Sequence, residues 1–180
     1  FTKLSATVSA TQLVGMLNGV FSGFDTLTDK YGLEKIKTIG DAYMVVAGLP
    51  DPREDHAEAI IEMALEMYTE LDRLNKQHGT DLEIRVGINS GSVVAGIIGT
   101  KKFSYDLWGD TVNTAARMES HGVEGRIHLT EETYNMLRDK YDFEDRGIID
   151  VKGKGDMHTF LLKGRKVTAG QRQADAASDD

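Results

Sequence analysis

The side chains of this sequence that could do chemistry are carboxylates and cations placed next to glycines. Asp41 follows Gly40 after a run of strand-forming residues. A carboxylate at such a turn can bind a divalent cation, but it more commonly just stabilises an Asx-type turn. Lys152 and Lys154 alternate with glycines, and this composition can surround an anion with side-chain charge and backbone N–H groups. Short Lys/Gly turns are also frequent in exposed hairpins. Asp41 and the Lys/Gly segment are therefore each open to a ligand-binding and a purely structural interpretation.

A second group of candidates lies on or near a predicted helix. Asn113 and Arg117 are four residues apart and therefore share one helical face, where they could act on one ligand. In the alternative interpretation, Arg117 forms an ion pair with Asp110 or Glu119 on a solvated surface. Five histidines have no metal-ligand spacing and are interpreted as surface or core residues.

Composition narrows the classes of protein to which the chain can belong. Its 180 residues suit one domain, and 40% hydrophobic with 28% charged residues are typical of a globular protein. A net charge of −8 argues against a nucleic-acid surface, which needs clustered Lys and Arg. The absence of cysteine excludes disulfides and suits a cytoplasmic location. No apolar run approaches the roughly 20 residues of a membrane span, although a membrane or sensor domain could precede this segment.

The first half of the chain is predicted to contain two helices with a hairpin between them. Ser9 and Gln12 have the spacing of a capping box, and apolar residues then recur every three or four positions as far as Gly32. Strand-forming residues follow at 34–48, with the Gly40-Asp41 pair as the hairpin turn. A second amphipathic helix is predicted over 55–78.

The second half alternates short strands and helices. Strands are predicted at 82–88 and 93–98, joined through 89–91, and at 103–108, 127–129, 148–151 and 159–162. Helices are predicted at 111–120 and from the cap Thr130 to about residue 140. This order indicates a mixed α/β domain over 1–165, with hairpins as well as crossovers. Residues 166–180 are small and polar and are predicted to be disordered.

Four segments, in order and spacing, resemble the class III adenylate and guanylate cyclases. They read EKIKTIGDAYM at 34–44, RVGINSG at 85–91, YDLWGDTVNTAARM at 105–118 and VKGKG at 151–155. The likeness extends over 1–165 and is greatest to homodimeric bacterial adenylate cyclases of the mycobacterial type. The resemblance implies a ferredoxin-like, palm-like α/β fold with helices packed on an antiparallel or mixed sheet. It also implies a head-to-tail homodimer with two active sites at the interface.

In this family, the ribose 3′-hydroxyl attacks the α-phosphate and expels pyrophosphate, assisted by two divalent cations, Mg²⁺ or Mn²⁺. Two aspartates hold these cations, and the resemblance assigns Asp41 as the second. The first is expected upstream of Phe1, in a segment that usually ends in Phe-Thr. Phe1 and Thr2 match that ending and are assigned to the substrate site.

The remaining site residues are also assigned through the resemblance. Arg85 and Lys152 match residues that hold the triphosphate, whereas Asn113 and Arg117 match the pair that orients the ribose and stabilises the transition state. Lys37 and Asp106 match the residues that recognise the base. Lysine offers only donors and aspartate only acceptors, which complements the N1 acceptor and N6 amine of adenine. Guanylate cyclases typically carry Glu and Cys there, so ATP is the predicted substrate.

Three other functions were weighed against an adenylate cyclase. A catalytically silent nucleotide-binding or dimerisation module is suggested by the expected first aspartate, which is not among these residues. A guanylate cyclase conflicts with Lys37 and Asp106. A diguanylate cyclase would carry a Gly-Gly-Asp/Glu-Glu-Phe turn, and this sequence contains none.

Overall fold

The computed structural model of the chain describes residues 9–98 and 104–166. The predictions made for Phe1, for Thr2 and for the tail at 167–180 therefore lie outside the described residues. The elements in chain order are α1 (Ala10–Tyr31), β1 (Glu34–Ile39), β2 (Ala42–Val46), α2 (His56–His78), β3 (Val86–Ile88), β4 (Val94–Ile98), β5 (Ser104–Trp108), α3 (Asp110–Ser120), β6 (Ile127–Thr130), α4 (Glu131–Leu137), β7 (Tyr141–Val151) and β8 (Gly155–Arg165).

Both long helices begin and end where the sequence predicts. The Ser9 hydroxyl accepts from the backbone N–H of Gln12, whose side chain accepts from the Ser9 N–H, so the capping box is confirmed. Gly32 ends α1 in the left-handed conformation at φ 60°, which glycine adopts without steric cost. Gly79 ends α2 in the same way at φ 65°. Within the described ranges, no helix is both long and apolar enough to cross a membrane.

The β1–β2 hairpin is confirmed, with its two-residue turn at Gly40 and Asp41. The strands are antiparallel, and Ile39 pairs with Ala42 across the turn. Gly40 has φ 62° and Asp41 a negative φ, a combination typical of hairpin turns with glycine first. A β-bulge between Lys35 and Lys37 interrupts the regular register.

A four-stranded mixed sheet with the order β3-β6-β8-β7 forms the centre of the fold. β3 and β6 are parallel, whereas β8 pairs antiparallel with both β6 and β7. β7 and β8 form a hairpin of 11 residues on each side, much longer than the predicted 148–151 and 159–162. Register shifts at 142–143 and 145–147 disrupt the two-residue alternation from which strands are predicted.

One strand predicted in the middle of the chain is much shorter than expected. The strand predicted at 82–88 is reduced to Val86–Ile88, because the Asn75 side chain bonds both the N–H and the C=O of Leu82 at 2.9 Å. The strands on either side of 89–91 are not paired with each other. Instead, β3 joins the central sheet, and β4 pairs antiparallel with β5.

Helix α2 is buried on two sides and separates two hydrophobic clusters. Its residues Ile61 and Ala64 pack with the central sheet and α4, while Met63 and Met67 pack with α1 and the β1–β2 hairpin. The expected architecture, helices packed on antiparallel and mixed sheets, is confirmed.

We expect the sheet-side cluster to dominate the stability of the domain. Leu137, at the end of α4, is fully buried in that cluster, and its neighbour Met136 is half-exposed. Leu137→Ala should lower the free energy of unfolding by about 2–5 kcal/mol, since it removes a buried side chain and leaves a cavity. Met136→Ala should change it by less than about 1 kcal/mol. Urea denaturation of both variants measures the difference, and equal losses would contradict the assignment of this core.

Candidate active site

Lys37 and Asp106 are brought together by the side-by-side placement of β1 and β5. The Lys37 ammonium donates a hydrogen bond to Oδ2 of Asp106, and the other carboxylate oxygen accepts the backbone N–H of Leu107 at 2.8 Å. The lysine, helped by that N–H group, lowers the pKa of the Asp106 carboxyl below its ordinary value. The pair therefore presents a donor beside an ionised acceptor.

The β-bulge in β1 directs two nearby lysines to different partners. Lys35 donates to Asp25 on α1 at 2.6 Å, whereas Lys37 reaches Asp106 on β5. In a regular strand, positions two apart face the same side of the sheet, and a bulge disrupts that alternation. The extra residue thus explains how Lys37 can turn away from α1.

Helix α3 follows β5 directly and carries Asn113 and Arg117. The buried residues Thr114 and Met118 form its inner face, and Asn113 is exposed. The Asn89 side chain at the end of β3 donates to the Thr111 carbonyl at 3.1 Å, which fixes the first turn of the helix. The Thr130 hydroxyl donates to Asn89 at 2.8 Å and contacts the Thr133 hydroxyl at 3.3 Å, but it accepts no backbone N–H of α4, so its expected capping bond does not form.

The two carboxylates that the sequence offered as partners for Arg117 are bound to other cations. Asp110 forms an ion pair with Lys154, and Glu119 forms one with Arg85 at 2.9 Å. In the part of the chain that the structure describes, the Arg117 guanidinium forms no ion pair. Its charge is therefore available to an anionic ligand.

Arg85 is not brought to the cluster that contains Lys37 and Asp106. It lies just before β3, and its guanidinium bonds Glu119 near the C-terminal end of α3. The triphosphate contact predicted for Arg85 stays a prediction, since its ion pair with Glu119 lies at the surface, with both side chains 40% exposed. No local pattern indicates Glu119 as the partner of Arg85, because the two residues are 34 positions apart.

The β7–β8 turn presents two lysines with different surroundings. Lys152 is exposed and, among residues 9–98 and 104–166, forms no ion pair. Lys154 is bound to Asp110 at the start of α3, which ties the turn to the helix. The alternation of lysine and glycine treats the two lysines alike, and only the resemblance to the cyclases singles out Lys152.

Asp41 lies exposed at the tip of the β1–β2 hairpin. Its carboxylate forms no hydrogen bond with the described residues, and these contain no group of three or more metal-ligating side chains. An isolated, uncommitted carboxylate fits Mg²⁺, which is usually held by one or two carboxylates together with substrate phosphates. Lys37 lies on the same hairpin, roughly 10 Å away along the strand.

Comparisons with known proteins identify the family. The model of the adenylate and guanylate cyclase catalytic domain matches residues 1–164. An adenylate cyclase of Mycobacterium tuberculosis is 46% identical over 94% of this chain and 38% of its own length. The beta-2 subunit of the soluble guanylate cyclase of Rattus norvegicus is also 46% identical, over 90% of this chain and 24% of its own.

Solved structures agree with the sequence comparisons. The guanylate cyclase domain of RhGC from Catenaria anguillulae, in complex with GTP, superposes with a TM-score of 0.87. It is 37% identical, and the match covers 92% of this chain and 91% of that one. The expected cyclase fold is thereby confirmed.

This chain spans well under half the length of these two curated relatives. Both adenylate and guanylate cyclases are among those relatives. The four motifs, the fold and the matched family agree, and the chain belongs to the class III adenylate and guanylate cyclase catalytic domains.

Proposed function

We propose that this domain converts ATP to 3′,5′-cyclic AMP and pyrophosphate. The observation that carries this choice of substrate is the contact between Lys37 and Asp106. The two side chains lie within hydrogen-bonding distance of each other, so both can reach adjacent atoms of one base. Adenine places its N1 acceptor next to its N6 amine, which matches a lysine donor beside a carboxylate acceptor.

Guanine would meet the opposite pattern at this pair. Its N1–H is a donor and its O6 an acceptor, so a lysine would face a donor and a carboxylate would face an acceptor. Overall identity does not decide between the bases, because an adenylate and a guanylate cyclase are equally similar to this chain at 46%. The choice between ATP and GTP rests on the residues that face the base. A site rejects the wrong base strongly when that base would leave its buried polar groups unpaired.

Arg117 and Lys152, which form no ion pair in the described structure, suit the phosphates of the nucleotide, and Asn113 suits the ribose. In the proposed reaction, the 3′-oxygen forms a bond to the α-phosphorus, and the bond from that phosphorus to the bridging oxygen of pyrophosphate breaks. Arg117, without an ion pair in the described structure, would stabilise the charge that develops on the α-phosphate, with Asn113 orienting the ribose. Such preorganised donors are each worth about 10² to 10³ in rate. Lys152 would bind the β- and γ-phosphates.

Divalent cations, Mg²⁺ or Mn²⁺, would supply charge neutralisation and activation of the 3′-hydroxyl when bound. Asp41 is the described residue suited to hold them, because its carboxylate is exposed and uncommitted. Hard oxygen ligands favour these two metals. The second carboxylate of the pair is the one expected upstream of Phe1.

The exposed surface of β4 supports an active site shared between two copies of the chain. Val94, Ile97 and Ile98 are 68%, 60% and 65% exposed, and β4 pairs only with β5 among the described strands. Monomeric domains rarely expose adjacent large apolar side chains. A second copy packed there would cover Val94 and Ile98, which share a face of β4 with Gly96, the residue that pairs with Asp106 across the ribbon. We therefore propose that Asp41 of one subunit completes the site around Lys37 of the other.

Asp41→Ala should abolish turnover without unfolding the protein. The exposed carboxylate contributes little to stability, whereas loss of a metal ligand should lower kcat by on the order of 10³-fold. The measurement is cyclic AMP formation by the full-length protein with ATP and Mn²⁺. Asp51→Ala, a change of an equally exposed aspartate in a neighbouring loop, is the control and should keep activity. Normal turnover by a folded Asp41→Ala protein would remove the metal assignment.

Base preference should change when the pair is replaced by the residues typical of guanylate cyclases. Lys37→Glu combined with Asp106→Cys should lower kcat/KM for ATP and admit GTP, because mispaired polar groups can discriminate by about 10⁴. Lys35→Gln changes a lysine two positions away that bonds Asp25, and it should leave the ATP/GTP ratio unchanged. If the double variant kept the wild-type ratio, Lys37 and Asp106 would not select the base.

Two inactive variants should restore each other's activity if the site is shared. Asp41→Ala damages the metal half and Arg117→Ala the transition-state half, so a mixed dimer contains one site built from intact halves. With free subunit exchange, about a quarter of wild-type activity should return if the two sites act independently. Cyclic AMP is measured for each variant alone and for their equimolar mixture. No recovery, despite mixed dimers detected by mass spectrometry, would place both halves within one chain.

A further inference from the structure

The β7–β8 turn is held against the first turn of α3 by the ion pair between Lys154 and Asp110. Although Lys154 belongs to a turn, its side chain is only 18% exposed. Its backbone N–H donates to the Val151 carbonyl at 2.8 Å and closes the turn. The ammonium is therefore directed at Asp110 on the helix, whose own side chain is 83% exposed, so the ion pair lies at the surface.

This ion pair joins two parts of the proposed site that are distant in sequence. Asp110 lies three residues before Asn113 on α3, and Lys154 lies two residues after Lys152. We propose that Lys154 and Asp110 are positioning residues whose ion pair holds Lys152 where it can bind the triphosphate of a nucleotide seated against α3. The proposal rests on the proposed function, and it assigns neither residue a contact with the nucleotide.

Besides the ion pair, the turn is held by its own backbone, through the hydrogen bond from the Lys154 N–H to the Val151 carbonyl and the pairing of Val151 with Gly155. Gly153 and Gly155 both have positive φ, at 79° and 76°, and a Cβ added to either would meet no atom within 4 Å. Glycine loses more conformational freedom on ordering than any other residue. Lys152 is exposed and forms no ion pair with the described residues. Without the ion pair, more freedom of the turn and of the exposed Lys152 side chain would be lost when the nucleotide binds, which weakens binding.

Breaking the ion pair should change KM if it positions Lys152, whereas it should change Tm if it mainly stabilises the fold. Exposed ion pairs contribute little to folding, so breaking this one should shift Tm by no more than about 4 °C. Loss of a positioned phosphate contact instead weakens binding of substrate and transition state alike. That effect raises KM and leaves kcat nearly unchanged.

The test compares Lys154→Met and Asp110→Asn with wild type in the full-length protein. Each should raise KM for ATP on the order of tenfold and keep kcat within about twofold. Lys154→Arg, which keeps the charge, should restore most of the affinity. Lys140→Met is the matched control, since it breaks the Lys140–Glu58 ion pair just before β7, at the other end of the hairpin from the turn. It should leave KM unchanged.

A double-mutant cycle with Lys152→Ala tests whether the Lys154–Asp110 ion pair acts through Lys152. If Lys154 acts by placing Lys152, Lys154→Met should add almost nothing to the KM of a Lys152→Ala protein. Full additivity, or an unchanged KM in Lys154→Met, would overturn the proposal.

Binding of α,β-methylene ATP, measured by calorimetry, separates this proposal from the proposed function. The dissociation constant requires no turnover and should rise in the same variants, on the order of tenfold. A wild-type protein that binds this analogue but forms no cyclic AMP would contradict the proposed function, while the comparison of variants would still test the ion pair. Absence of binding in wild type would overturn both.

Discussion

The close packing of α3 on β3 is the constraint on which the site depends. A Cβ on Gly87 would lie 2.0 Å from the backbone nitrogen of Glu119, so only glycine permits the helix to approach the strand this closely. The buried His128 side chain bonds the Met118 carbonyl at 2.7 Å and holds the far end of the same helix. Burial lowers the pKa of His128, which favours the neutral form in this contact. With its inner face fixed, α3 must present Asn113 outward.

Charge in the site is organised by which ions are already paired. The protein carries a net charge of −8, which would repel a triphosphate from most of its surface. Around α3, however, the carboxylates of Asp110 and Glu119 are occupied by Lys154 and Arg85. The cation on Arg117 is left uncommitted beside carboxylates that are already neutralised. A local positive field can thus form on an acidic protein, with divalent cations as the expected further contribution.

In the proposed arrangement, the elements that build the site leave it incomplete within one chain. The β4–β5 ribbon carries Asp106 but exposes Val94, Ile97 and Ile98, so the surface next to the proposed base-recognising pair is apolar. Asp41 stands at a hairpin tip and is separated along the strand from Lys37. A second copy that covers the ribbon would satisfy the hydrophobic surface and supply the carboxylate together. The proposed dimer and the proposed chemistry therefore depend on the same contact.

The sequence alone determined the features that depend on neighbours close along the chain. The capping box at Ser9, the turn at Gly40-Asp41 and the spacing of Asn113 and Arg117 follow from local backbone geometry. Together with four motifs in order, these features also sufficed to identify the family and the α/β architecture. The long β7–β8 hairpin was underestimated, because bulges break the alternation by which strands are predicted.

Only the tertiary structure decided which charged groups meet. Nothing in the sequence indicated that Lys154 rather than Lys152 would bind Asp110, or that Glu119 would bind Arg85 and leave Arg117 uncommitted. An ion pair forms when two charges come within about 4 Å, and that distance is set by how strands and helices pack. Residues 34 and 44 positions apart carry no local signal of such an approach. Local sequence patterns therefore predicted the helices and strands, whereas tertiary packing determined which charged residues form ion pairs.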